Sequence, residues 1–225
     1  MLSIFIIIIH VYTMFRFVAL ISIIIVAILY MYFKKTILTY QDDHLLLVHP
    51  FYNNHHFQEI VKYCLTLDDL LENDTRVTSR KTYMCDSKTN SQLYRMVFSP
   101  YFFKQVRKIL KIGKCVPSEF PIEYRKYETG SEGMPWHQDQ PLFKQTYYEC
   151  VLTITNTSDS MFEFMIDDNI HSVDPKPNSL ALVKPSSVYH KITPITSGER
   201  RILKFVFLLN ENNEKSEHYD YESKL

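Results

Sequence analysis

EYRKYETGSEGMPWHQDQ, residues 123–140, is the stretch around which the chain organises its chemistry. His137 and Asp139 stand two residues apart at its end. In an extended segment, residues i and i+2 point to one face, so an imidazole and a carboxylate converge on one point. One His and one carboxylate are two thirds of the facial set that holds non-haem Fe(II) and leaves coordination positions open. The third member of such a set is a distant His, brought back by antiparallel strands. His190, in VYHKITPITSGERRILKF (188–205), fits that place. Arg200 follows ten residues later, a fixed cation able to hold a carboxylate beside a metal.

A His-x-Asp pair alone carries little, since the chain has nine His and a second such pair, His218 and Asp220, in the tail ENNEKSEHYDYESKL. That second pair has no strand-like surroundings, no later His and no following Arg. It reads as solvated tail. The bland alternative for His137 and Asp139 is a surface turn after Pro135. The ordered set of His-x-Asp, distant His in a strand and trailing Arg argues against it.

The chain as a whole sets the bounds. Its 225 residues suffice for one domain with a sizeable core plus an appendage. Formal net charge is zero, so no global field recruits nucleic acid. Four Gly, ten Pro and 14% aromatic residues argue against extensive disorder. Cys64, Cys85, Cys115 and Cys150 show no zinc-binding spacing and read as buried free thiols.

In chain order, the first 33 residues are almost wholly apolar, broken by His10 and Arg16 and ended by Lys34 and Lys35. The run 17–33 has 17 residues without a charge, the lower limit for a bilayer-spanning helix. No small-residue cleavage pattern follows, so the reading is a retained single-pass membrane anchor. Lys34 and Lys35 lean the following domain toward the cytosol, though Arg16 and the amino terminus nearly balance them. Two sequons, at Asn73 and Asn156, would matter only for a lumenal domain.

Residues 36–114 read as a mixed, mainly helical support region. Residues 45–48 form a candidate strand. Asn53 or Asn54 is placed to cap a helix running through Ile60 and Cys64. Pro100 is placed to open a second helix, and Gly113 to stop it. The basic face of that helix (Lys104, Arg107, Lys108, Lys111) reads as solvated rather than as a nucleic-acid surface. His44, His49, His55 and His56 cluster without acidic or Cys partners at ligand spacing, so a metal role is not assigned to them. From residue 120 the texture turns to short strands: 121–128, 147–155, 161–166, 170–173, 179–183, 188–192 and 200–209, separated by turn-rich breaks. Such spacing predicts a sandwich, barrel or jelly roll, with the helices bracing one sheet. The turn 196–199 is expected to join the last two strands as a hairpin. The domain reading is therefore anchor 1–35, support region 36–114, core 115–210 and flexible charged tail 211–225.

The segments YETGSEGMPWHQD (127–139) and VYHKITPITSGER (188–200) resemble the 2-oxoglutarate- and Fe(II)-dependent dioxygenases, prolyl-4-hydroxylase-like branch. The resemblance covers about residues 120–209. It implies an α+β, mainly β fold: a double-stranded β-helix, or jelly roll, braced by N-terminal helices, to which the sequence adds the transmembrane helix. It implies His137, Asp139 and His190 as iron ligands and as the catalytic set. Arg200 would pair with the distal carboxylate of 2-oxoglutarate, a bidentate task suited to a guanidinium. Tyr127 would add a hydroxyl to the same carboxylate. One extra residue separates Tyr127 from His137 relative to the usual hydroxylase pattern, so Tyr124 stands as its rival. Fe(II), 2-oxoglutarate and O2 are the implied cofactor and cosubstrates, with ascorbate as a further candidate. Trp136 and Met134 are expected either in the site wall or in ordinary packing.

The leading functional expectation is a membrane-anchored hydroxylase of a protein or peptide side chain, proline first, forming succinate from 2-oxoglutarate. WHQD (136–139) also resembles the AlkB-type nucleic-acid demethylases. Those carry a second Arg six residues after the first, where this chain has Val206, and the zero net charge also counts against a nucleic-acid partner. A non-catalytic cupin-like binding protein is the third reading, and the complete set of site residues argues against it.

Overall fold

The computed structural model describes residues 18, 20–23, 44–75, 77–88, 90–212 and 214–220. The chain divides into two compact units, Met1–Thr36 and Ile37–Leu225. In the first, Val18 and residues 20–23 are helical and exposed. Among the described residues no helix is long and apolar enough to cross a membrane. This overturns the expected transmembrane helix, and with it the single-pass anchor and the membrane localisation. The expected span, 17–33, lies for the most part outside the described residues. Its apolar run sits at the shortest length a bilayer accepts, so hydropathy alone was a thin basis for a span.

The second unit is built on two antiparallel sheets. The larger has eight strands among the described residues. Their order is β1 (Leu45–Val48), β10 (Leu180–Val183), β7 (Tyr147–Asn156), β12 (Arg200–Leu208), β5 (Ile122–Tyr127), β3 (Arg80–Cys85) and β2 (Glu72–Asn73), with β4 (Val116–Pro117) also on β12. The smaller sheet runs β6 (Met134–His137), β11 (His190–Ile192), β8 (Phe162–Ile166), β9 (Asn169–Val173). The arrangement is a jelly roll, mainly β as expected. The helices α1 (Asn54–Leu65), α2 (Ser91–Val97) and α3 (Pro100–Leu110) pack on the large sheet.

Alternation along the central strands separates core from cavity. In β7, Cys150, Leu152 and Ile154 join the core under the helices, while Glu149, Val151 and Thr153 line a cavity on the opposite face. In β12, Leu203, Phe205 and Phe207 enter the core, and Arg200, Ile202 and Lys204 face the cavity. A bulge between Arg201 and Ile202 in the pairing with β7 absorbs one residue without moving these side chains off their face. The helices fill the core side at helical spacing: Phe57, Ile60 and Cys64 from α1, Phe102 and Val106 from α3. The Phe102 ring lies edge-on to Phe98, Phe205 and Phe207 at 5.6–5.7 Å.

The expected cap of α1 forms, and α3 has one at Ser99 that the sequence reading did not name. Asn53 accepts a bond from the His56 amide at 3.0 Å, and Ser99 accepts from Phe102 with Pro100 in the first turn. The stop of α3 differs from expectation. Lys111, at φ 55°, takes the left-handed position, and Gly113 lies beyond it. The basic residues of α3 are exposed, as a solvated face should be. The expected hairpin between the last two strands is not formed. β11 belongs to the small sheet and β12 to the large one, so residues 193–199 carry the chain between sheets. Gly198 makes that crossing close: its φ is 78°, and a Cβ there would lie 2.2 Å from the Thr157 carbonyl oxygen. The segment after β12, expected to fray, is tied down through residue 219. Lys144 N donates to Glu214 O, Ser216 N donates to Leu142 O, and the buried Tyr219 ring packs against Phe120 and Phe143.

Candidate functional site

β6 and β11 pair antiparallel in the small sheet with His137 opposite His190, which brings the two imidazole rings to 4.4 Å between centroids. Asp139 lies just past the end of β6, held by a bond from the Ser186 amide to its carbonyl oxygen at 3.1 Å. The i, i+2 convergence expected of a strand is thus completed by a short non-strand extension. One ligand atom from each of His137, Asp139 and His190 lies within 4.8 Å of the others. Asp139 Oδ2 is 3.5 Å from His190 Nε2, and Oδ1 is 3.9 Å from His137 Nε2. His218 and Asp220 belong to no such group among the described residues.

The donor set fits a metal ion. His137 Nδ1 lies 2.7 Å from the Pro135 carbonyl oxygen, and His190 Nδ1 lies 3.0 Å from that of Val188. A carbonyl only accepts, so each Nδ1 carries the proton, and in the neutral form of the ring Nε2 keeps its lone pair for a ligand. Burial lowers the pKa of His190 below the ordinary imidazole value, which favours that neutral form. Burial would raise the Asp139 carboxyl, but Lys204, then His190 and His137, outweigh it and hold the pKa below the usual carboxylate value. Two imidazole nitrogens and one carboxylate, with the remaining directions open to a cavity, suit a facially bound divalent metal.

The cavity, about 470 Å³, runs between the two sheets and is lined mostly by apolar groups such as Val151, Phe162, Val173, Ile192 and Ile202. Arg200 enters it from the start of β12 and is 2% exposed. Its guanidinium lies 5.0 Å from the centroid of the Tyr127 ring. Its Nε is buried without a hydrogen-bond partner, and no carboxylate among the described residues pairs with it. Burial lowers its pKa from the ordinary value, with Tyr127 opposing. A buried guanidinium with an unused donor, in a cavity that also holds a metal-ready set, could receive an anion.

Tyr127 and Tyr124 occupy opposite faces of β5. Tyr127 lines the cavity. Burial alone would raise its pKa, but Arg125, Arg80 and Arg200 together leave it below the ordinary phenol value. Tyr124 lies on the helix side, its hydroxyl donating to Asp68 Oδ1 at 2.6 Å. Tyr124 therefore has no access to the cavity, because an odd separation along a strand reverses the face. Arg201 is likewise turned away, paired with Asp68 at 2.7 Å and with Glu199. Met134 lines the cavity, whereas Trp136 sits under the Lys191 ammonium, 5.0 Å from its ring centroid, outside it.

Sequence reasoning missed a buried charged row beside Asp139. Arg125 donates to Glu123 at 2.5 Å, and Lys204 lies 2.7 Å from Glu149 and 3.8 Å from Asp139. Burial and the neighbouring Asp139 push the Glu149 carboxyl up to about 7. Burial opposes the charge on Lys204, yet Glu149 and Asp139 raise its pKa above the ordinary ammonium value. The signal was present as charged residues on one face of strands otherwise rich in apolar and aromatic residues: Glu123 and Arg125 in β5, Arg200 and Lys204 in β12.

No family model matches the chain, and no curated protein matches it. Solved structures do. A Pseudomonas putida prolyl-4-hydroxylase superposes with a TM-score of 0.58 at 16% identity, over 73% of this chain and 91% of that one. HygX from Streptomyces hygroscopicus, with nickel and 2-oxoglutarate bound, gives 0.56 at 10% identity, over 73% and 82%. A Trichoplax adhaerens prolyl hydroxylase in complex with a hypoxia inducible factor peptide fragment gives 0.51 at 11% identity, over 73% and 83%. In fold, this chain is similar to solved 2-oxoglutarate–Fe(II) oxygenases, and it carries a His-Asp-His set that could hold a metal.

Proposed function

We propose that this protein is an Fe(II)- and 2-oxoglutarate-dependent oxygenase that hydroxylates a protein or peptide side chain, with proline the first candidate. The observation that carries the reading is Arg200, a buried guanidinium without an anionic partner among the described residues, in the same cavity as His137, Asp139 and His190. In this reading the three residues hold Fe(II), and bound iron supplies the chemistry that couples oxidative decarboxylation of 2-oxoglutarate to reduction of O2. Arg200 takes the distal carboxylate of 2-oxoglutarate through two parallel N–H bonds, with the Tyr127 ring steadying the guanidinium. Apolar walls from both sheets exclude water and strengthen that pairing. Support for a peptide substrate, and for proline, comes from the prolyl hydroxylases among the structural neighbours, one of them holding a peptide.

The demethylase alternative gains nothing from the geometry. Val206 is fully buried in an apolar cluster with Phe120 and Leu142, and the basic face of α3 is on the outer, solvated side. The test is anaerobic loading with Fe(II), then addition of 2-oxoglutarate, ascorbate and O2 with a panel of proline-containing peptides. The expected result is succinate formation, lost in His137→Ala, with one peptide gaining the mass of one oxygen atom. A metal-loaded protein that neither binds nor consumes 2-oxoglutarate overturns the reading.

A further inference from the structure

His137 and His190 are each oriented by a backbone carbonyl on Nδ1, but among the described residues no hydrogen bond supports the Asp139 side chain in the same way. It stands beyond the end of β6, where no ladder fixes it, and its backbone carbonyl is what the Ser186 amide holds. Among the described residues, the cation within ion-pair distance of its carboxylate is Lys204, with Nζ 3.8 Å from Oδ1. Lys204 is itself well placed to be rigid. It lies mid-strand in β12, opposite Glu123 on β5 and Val151 on β7, and Glu149 holds its ammonium at 2.7 Å.

We propose that Lys204 is a positioning residue for the metal: anchored by Glu149, its ammonium fixes the Asp139 carboxylate in its ligating orientation. This rests on the metal reading of His137, Asp139 and His190 given above. The competing explanation is that Lys204 merely neutralises a buried Glu149. The two differ in what happens when Lys204 and Glu149 are removed together, since that leaves no Glu149 charge to neutralise but takes from Asp139 the cation that holds it. Partners that orient metal ligands typically contribute about 10–100-fold in metal affinity.

The experiment is an anaerobic titration of the full chain with Co(II), reading both the dissociation constant and the visible ligand-field spectrum, alongside thermal unfolding of each metal-free variant. Lys204→Met/Glu149→Gln should bind Co(II) at least about tenfold more weakly than wild type. Its spectrum should be altered, while its unfolding midpoint stays near that of wild type. Lys204→Arg should restore both affinity and spectrum. Glu149→Gln alone should keep most of the affinity, because the ammonium remains. Wild-type affinity and spectrum in the paired variant would overturn the inference and leave the metal site standing. So would a loss in Glu149→Gln equal to that of the pair. Failure of wild type to bind Co(II) or Fe(II) would instead overturn the metal reading, and the inference with it.

Discussion

Arg200 and Arg201 are neighbours in sequence whose side chains point into different surroundings, and their difference is a test of the site at the scale of single residues. Arg200 faces the cavity without an anionic partner among the described residues, and Arg201 reaches Asp68 and Glu199 on the other face. A hydrogen bond to a charged group contributes about 1.5–3 kcal/mol, and 1.4 kcal/mol is about tenfold in affinity. Arg200→Ala should therefore raise the KM for 2-oxoglutarate at least about tenfold, and Arg200→Lys should recover part of the loss because it keeps the charge without the fork. Arg201→Ala should leave that KM nearly unchanged. Steady-state kinetics with varied 2-oxoglutarate checks this, and equal damage from both alanines would contradict it. The convergence of His137, Asp139 and His190, with Arg200 in the same cavity, was legible because it is tied to spacing within strands. Tyr124 and Tyr127 were not separable, since the choice between them depends on which face of β5 meets the helices. Lys204 and Glu149 were passed over for a related reason: a charge in a strand reads as solvent-facing until the sheet that covers it is known.

At the scale of elements, two connections position the site. Gly198 lets residues 193–199 cross between sheets and deliver Arg200 to the start of β12. With its φ at 78° and the Thr157 carbonyl where a Cβ would go, Gly198→Ala should destabilise the fold by more than about 1 kcal/mol. In a chain of this size that corresponds to a fall in Tm of more than about 2–4 °C, read by thermal unfolding. The 3-10 turn Asp68–Leu70 is fastened by Asp68, which accepts from the Tyr124 hydroxyl and from Arg201. Burial raises the Asp68 pKa, but these bonds outweigh it and leave it below the ordinary value. A depressed carboxyl contributes stability that is present above its unfolded value, about 3.9, and lost as pH falls through the lower folded value. Asp68→Asn should thus be less stable than wild type at neutral pH, and the difference should shrink below about pH 4. A constant difference across that range, measured by denaturant unfolding at several pH values, would contradict the assignment. Helices α1 and α3 were legible from Asn53 and Pro100 and, for α1, from apolar spacing. Strand β3 was not, because its inward positions include Arg80 and Thr82, both bound to Asp74, so the usual apolar alternation is hidden.

At the scale of the whole molecule, the jelly roll was legible as a run of short strands between turn-rich breaks. How those strands divide between sheets was not, which is why an expected hairpin became a crossing from one sheet to the other. The apolar N-terminal run shows the limit of composition: its length met the minimum for a membrane span, yet among the described residues no helix of spanning length is present. What unites the described molecule is one cavity that holds a metal-ready His-Asp-His set at one place and a buried guanidinium at another. The most direct measurement is an anaerobic calorimetric titration of 2-oxoglutarate into the protein with and without Fe(II), repeated for Asp139→Ala. The account predicts saturable binding that is clearly tighter with Fe(II), and loss of that dependence in Asp139→Ala. Absence of binding, or an affinity indifferent to Fe(II) in the wild-type protein, would contradict it.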